Sequence, residues 1–289
     1  MTPPLDHHQL NGCDAVKLHV VTCGESGPLV LFLHGFPEFW QAWHTLLPAL
    51  GRDFRAAALD LRGYNLSDKP PGVSAYGLDK VSGDIASVIR ALSPLHPAIV
   101  VGHDWGGIAA WYLAREQPTL MSHLVVINAP HPALLGRELR RSPSQLFSSS
   151  YAAFFQWRGV AEWALRAGRC ALLRAMLFRT SSRPEAFTPE LRRAYLEAWQ
   201  QPGALRAGLN YYRSPENRRL LRTAPADWRI QLPTLVLWGE RDIALREGNL
   251  EGLSTVAPRL TIHRHPTATH WIAHEEPRWV EDRIRAFLA

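Results

Sequence analysis

The 289 residues are 46% hydrophobic and 20% charged, with 20 Gly and 22 Pro, which supplies a packed core and excludes disordered, collagen-like or coiled-coil readings. The formal charge of +6 comes from 29 Arg against three Lys spread along the chain, and the tightest groupings, Arg140-Arg141 and Arg218-Arg219 with Arg222, fall on amphipathic stretches, so no nucleic-acid partner is expected. Cys13, Cys23 and Cys170 are an odd number at wide spacings, which fits neither a disulfide framework nor a zinc site and points to a reducing compartment.

The opening MTPPLDHHQLNGCD lacks a basic region followed by an apolar run, and no stretch approaches ~18 apolar residues, so a cytoplasmic protein without a membrane span is expected. After this polar lead, Val16 to Val21 and Leu29 to Leu33 read as strands, the second running into His34-Gly35-Phe36-Pro37. A helix from Trp40 to Leu50 and a strand from Ala56 to Leu61 follow. Asp79 to Leu92 then places Val81, Ile85, Val88, Ile89 and Leu92 at helical spacing. Next come a buried-type strand from Ala98 to Val101, a helix from Trp105 to Arg115, and a strand from Leu124 to Ile127. Strands that are apolar on both faces and alternate with helices imply a mostly parallel sheet covered on both sides.

From Arg137 to Arg222 the rhythm changes to helix formers without a strand-like run, rich in aromatic residues between Phe147 and Trp163. The alternation returns with strands at Thr234 to Trp238 and Leu260 to His263 and an amphipathic helix from Pro277 to Leu288. The expected organisation is an α/β core formed by residues 1–130 and 226–289, with a helical cap, 131–225, inserted near its sixth and seventh strands.

Gly102-His103-Asp104-Trp105-Gly106-Gly107 stands where a buried strand meets a helix and has the form of a nucleophile elbow, with Asp in the nucleophile slot. A carboxylate attacking an acyl carbon would give a mixed anhydride, whereas displacement at an sp³ carbon gives an ordinary ester, so an alkyl carbon with a leaving group is the expected electrophile. Hydrolysis of that ester needs a base, for which His270 is the candidate, and a partner to fix its tautomer, for which Asp242 is the candidate. Both are expected on loops at the carboxyl edge of the sheet. The backbone N–H groups of Phe36 and Trp105 are the candidate oxyanion donors. Other histidines, among them His34, His103 and His274, read as structural.

These residues resemble the α/β-hydrolase superfamily, and within it the soluble epoxide hydrolase family, over nearly the whole chain. Two cap segments carry the closer likeness: Tyr151-Ala-Ala-Phe-Phe-Gln156 and Asn210-Tyr211-Tyr212-Arg213. The resemblance implies an eight-stranded α/β-hydrolase fold, a cofactor-independent enzyme, and Tyr151 and Tyr212 as the two phenols that hydrogen-bond an epoxide oxygen, while the sequence leaves open whether Tyr211 or Tyr212 faces the cleft. Phe36, Trp105, Tyr151, Tyr212 and Trp271 are expected to contact substrate. A small hydrophobic epoxide is the expected partner, no metal is required, and the assembly is a monomer or homodimer. Two alternatives stand beside this reading. A haloalkane or haloacid dehalogenase shares the Asp nucleophile; haloalkane enzymes typically place Asn where this chain has Phe36, and fluoroacetate-type enzymes Arg where it has Trp105. The other is a catalytically silent hydrolase fold acting as a binding module, which would be expected to lose part of the constellation.

Overall fold

A computed structural model describes residues 3–289; Met1 and Thr2, the first residues of the polar lead and of the expected core, lie outside the described residues. Eight strands, β1 (Leu5–Asn11), β2 (Lys17–Cys23), β3 (Leu29–Leu33), β4 (Arg55–Leu59), β5 (Ala98–His103), β6 (Met121–Ile127), β7 (Thr234–Gly239) and β8 (Leu260–His265), form one sheet in the order β1-β2-β4-β3-β5-β6-β7-β8. β2 pairs antiparallel with β1 and β4, and the remaining pairings are parallel. Every residue of β3, β5 and β7 is buried, as continuous apolar strands between two helical layers must be.

Two elements differ from the sequence expectation, each for a physical reason. The polar lead is a strand: none of the β1 residues is buried, and it is held at the sheet edge by backbone pairing to β2, so it carries no apolar alternation to read. The expected helix over Trp40 to Leu50 is a 3₁₀ turn, Trp40–Trp43, and a separate short helix, α1 (Leu46–Leu50). Pro48 has no N–H for the carbonyl of His44, so one continuous helix cannot form there.

The sheet is flanked by α2 (Leu78–Leu92), α3 (Trp105–Glu116), α11 (Leu253–Val256), α12 (Ile272–Glu275) and α13 (Pro277–Leu288). In α2 the buried Val81, Ile85, Val88 and Ile89 form the core-facing stripe. Only helices and turns lie between β6 and β7: α4 (Pro132–Arg141), α5 (Pro143–Ser148), α6 (Tyr151–Phe154), α7 (Val160–Arg174), α8 (Pro189–Gln200), α9 (Ala204–Arg213) and α10 (Pro215–Leu220). This inserted lid is tied to the core by buried hydrogen bonds. Tyr211 donates to the carbonyl of Arg62 at 2.9 Å, and Trp199 Nε1 to that of Pro37 at 2.5 Å. Asn217 accepts from the Leu78 N–H at 2.8 Å and donates to the carbonyl of Tyr76 at 2.9 Å. Among the described residues no helix is long and apolar enough to cross a membrane.

Candidate active site

The loops after β3, β5, β7 and β8 all emerge at the carboxyl edge of the sheet, where ligands of open α/β sheets bind. Asp104 follows β5 and caps α3 with φ 48° and ψ −121°, a conformation that L-residues adopt at a cost of about 1–3 kcal/mol. The strain is retained because strand and helix cross closely here. A Cβ on Gly106 would sit on the carbonyl oxygens of Leu33 and His34, and one on Gly102 would lie 2.5 Å from the Gly106 carbonyl oxygen. The turn therefore lifts the Asp104 carboxylate above the sheet edge.

The Phe36 N–H donates to Asp104 Oδ1 at 2.8 Å. The loop that presents it is held by His34, whose Nε2 accepts from the Leu61 N–H at 3.1 Å and whose Nδ1 donates to the Gly35 carbonyl at 2.8 Å. Trp105, the other expected donor, is the first residue of α3, where backbone N–H groups have no intrahelical partner. Its indole forms part of the cavity wall, edge-on to Tyr212 at a ring separation of 5.1 Å.

His270 lies between two carboxylates. Its Nδ1 donates to Asp242 Oδ2 at 2.6 Å, and its Nε2 stands 3.7 Å from Asp104 Oδ2. Asp242 is fixed in turn: Oδ1 accepts the N–H groups of Ala244 and Leu245 at 2.8 and 2.9 Å, and Oδ2 accepts from Asn128 Nδ2 at 2.8 Å. Burial pushes the His270 imidazole down, but the charge and hydrogen bond of Asp242, with the charges of Asp104 and Glu38, outweigh it and hold the pKa up at about 9. Burial pushes Asp242 up, yet the charge of His270 and the donated hydrogen bonds bring it below the usual carboxylate range.

The lid closes the other side. Tyr151, at the start of α6, and Tyr212, on α9, stand with ring centroids 5.9 Å apart and line two cavities that meet at Asp104. One, of about 220 Å³, is walled mainly by apolar side chains such as Leu135, Leu139 and Leu221; the other, of about 160 Å³, runs past Phe36, Met176, Thr180, His270 and Trp271. Burial raises the Tyr151 phenol, reinforced by the Asp104 and Asp242 charges; burial, Tyr151 and Asp104 drive Tyr212 well above its ordinary value. Both therefore stay protonated at neutral pH. Tyr211 lines the larger cavity with its ring, but its hydroxyl is committed to the Arg62 carbonyl, whereas Tyr212 borders both cavities. The Trp271 indole N–H is also engaged, donating to Thr180 Oγ1 at 2.7 Å, so this side chain offers the cavity an apolar face.

Two groups at this site escaped the sequence reading. Asn128, in the loop after β6, holds Asp242, and Glu38, next to Pro37, is a buried carboxylate bonded to His103 Nδ1 and His274 Nε2, both at 2.8 Å. His103 Nε2 in turn faces the carbonyl of His270 at 2.9 Å. Burial pushes Glu38 up, but the two histidines hold it well below the usual carboxylate range. The available signals were their positions, Asn128 directly after β6 and Glu38 directly after His34-Gly35-Phe36-Pro37.

A family model described as the alpha/beta hydrolase fold matches residues 28–277. The chain is 38% identical over 282 residues to the AB hydrolase superfamily protein YfhM of Bacillus subtilis, spanning 97% of each chain. It is 36% identical over 280 residues to Epoxide hydrolase 1 of Caenorhabditis elegans, spanning 94% of this chain and 68% of that one. The crystal structure of a Bacillus megaterium epoxide hydrolase bound to an inhibitor superposes with a TM-score of 0.88 at 32% identity, over 98% of this chain and 99% of that one. The chain belongs to the α/β-hydrolase superfamily and, within it, to the epoxide hydrolase family.

Proposed function

We propose that the chain is an epoxide hydrolase, a hydrolase acting on ether bonds, that converts small apolar epoxides to vicinal diols through an ester on Asp104. The observation that carries this reading is the placement of two protonated lid phenols, Tyr151 and Tyr212, around cavities that meet at a carboxylate raised on a strained elbow. In this reading residues 1–130 and 226–289 supply the nucleophile, base and oxyanion donors, and the cap, 131–225, supplies the phenols.

Asp104 Oδ2 attacks an oxirane carbon, the C–O bond breaks, and the expelled alkoxide takes a proton from one phenol while the other donates a hydrogen bond. The phenol regains its proton from solvent. Esterification removes the Asp104 charge, one of the three, with Asp242 and Glu38, that keep His270 protonated, so the imidazole releases its proton and becomes the base. Neutral His270, oriented by Asp242, takes a proton from water, and the hydroxide adds to the ester carbonyl. Charge then develops on Oδ1, against the N–H groups of Phe36 and Trp105. Collapse breaks the acyl–oxygen bond, and the leaving alkoxide takes the proton held by His270 and departs as the diol with the original Asp104 oxygen. The new carboxyl proton then passes to His270, restoring carboxylate and imidazolium.

The test compares wild type with Asp104→Ala on aryl and aliphatic epoxides and on haloalkanes, scoring diol and halide. Diol from wild type alone is the expected result; halide release without diol contradicts the reading in favour of dehalogenation, and neither product favours a silent fold.

A further inference from the structure

We infer that Glu275 is a positioning residue through which the lid sets the reach of His270. This inference rests on the mechanism proposed above. His270 is the middle residue of Thr269-His270-Trp271, and its neighbours are tied to one short lid segment, Thr269 through Glu275 and Trp271 directly. On one side Glu275, only 2% exposed at the end of α12, accepts four hydrogen bonds. Its Oε1 receives Ser181 Oγ and the Ser182 N–H, both at 2.8 Å, and Thr269 Oγ1 at 2.6 Å; its Oε2 receives the Thr269 N–H at 2.7 Å. On the other side Trp271 Nε1 donates to Thr180 Oγ1, which itself donates to the Met176 carbonyl at 2.5 Å. The segment leaves a π-helical turn at Ala175–Arg179, a geometry often found at functional sites. Met176 and Thr180 line the smaller cavity beside His270.

The donors to Glu275 come from two bodies, the lid and the loop that bears the base, so this carboxylate fixes one against the other. An amide cannot take its place: one oxygen and one NH₂ would face four donors, setting donor against donor. Ring opening, as proposed, uses Asp104 and the phenols on α6 and α9, none of which touches this latch. Ester hydrolysis needs His270 Nε2 held over a water, where a misplacement of about 1 Å can cost about 10²-fold. Loosening the latch therefore slows the second step selectively.

The test follows wild type, Glu275→Gln and Ser181→Ala in full-length protein mixed with styrene oxide. Epoxide loss in the first turnover reports ring opening; intact mass reports the ester, and its decay reports hydrolysis. In Glu275→Gln, hydrolysis should fall about 10–100-fold and the ester accumulate, with first-turnover epoxide loss nearly unchanged. Ser181→Ala should show the same imbalance to a smaller degree. Equal slowing of both steps, or unchanged hydrolysis, overturns the inference in favour of a purely structural role. Thr269→Val, which removes the hydroxyl donor to Glu275 Oε1 from outside the cavity wall, carries the same test should Glu275→Gln fail to fold by circular dichroism. A wild type that makes no diol overturns the proposed function itself, and this inference with it.

Discussion

The Asp104→Asn substitution removes one of the three negative charges, Asp242, Asp104 and Glu38, that raise the His270 pKa, while keeping the shape of the side chain and an oxygen for the Phe36 N–H. The lost charge stands 3.7 Å from His270 Nε2. At effective dielectric constants of about 20 to 80, that separation corresponds to roughly 1–4 kcal/mol, or about one to three pH units. The His270 pKa, about 9 in the intact site, should therefore fall to roughly 6–8. The fall is partial because Asp242 still holds Nδ1 at 2.6 Å. Titration of ¹⁵N-labelled histidine by NMR, with His270 assigned from a His270→Gln variant, reads both values directly. His270 titrating at the same or a higher pH in Asp104→Asn would refute the argument that esterification of Asp104 frees the base. The measurement needs no substrate, so it tests the electrostatics apart from the chemistry.

Loss of either phenol, in Tyr151→Phe or Tyr212→Phe, should slow first-turnover epoxide loss by about 10–100-fold, equivalent to about 1.5–3 kcal/mol, and wild-type rates in rapid quench would contradict the donor role. Tyr211→Phe gives up the bond to Arg62 and should cost about 1 kcal/mol of stability in urea denaturation, with a smaller effect on turnover than Tyr212→Phe. The imidazolium of His270, titrating at about 9 in the folded site against 6.5 ordinarily, stabilises the fold. That contribution, of order 3 kcal/mol, is fully present below about pH 6.5 and lost as the pH rises through about 9; denaturation across this window should show the decline, and His270→Gln should flatten it. Gly106→Ala drives a Cβ into the Leu33 and His34 carbonyls and should destabilise by about 3 kcal/mol, and an unchanged melting temperature would contradict the packing argument.

What the sequence made legible follows from how each feature is encoded. β3, β5 and β7 are continuous apolar runs because both faces of the sheet are covered, and α2 shows its period because one face alone is buried. β1 has no such pattern: its contribution is backbone pairing, to which side-chain periodicity is blind. At the candidate site, motifs at strand ends give the positions of Asp104, Asp242 and His270 because the topology delivers every such loop to one edge. Partners contributed from afar were not readable. Glu38 meets His103 across 65 positions and His274 across 236, and Glu275 meets Ser181 across 94. The choice between Tyr211 and Tyr212 depends on the rotation of α9, which is fixed by bonds such as that from Tyr211 to Arg62 rather than by the local sequence.

The central claim is the ester on Asp104, and a single turnover in H₂¹⁸O tests it most directly, with enzyme in excess over an aryl epoxide. The account predicts that the first diol released carries no ¹⁸O and that the label appears in the peptide containing Asp104, because water attacks the acyl carbon and the diol keeps the carboxylate's own oxygen. Label in the diol of that first turnover, with none on Asp104, would mean that water opens the ring directly and would contradict the account.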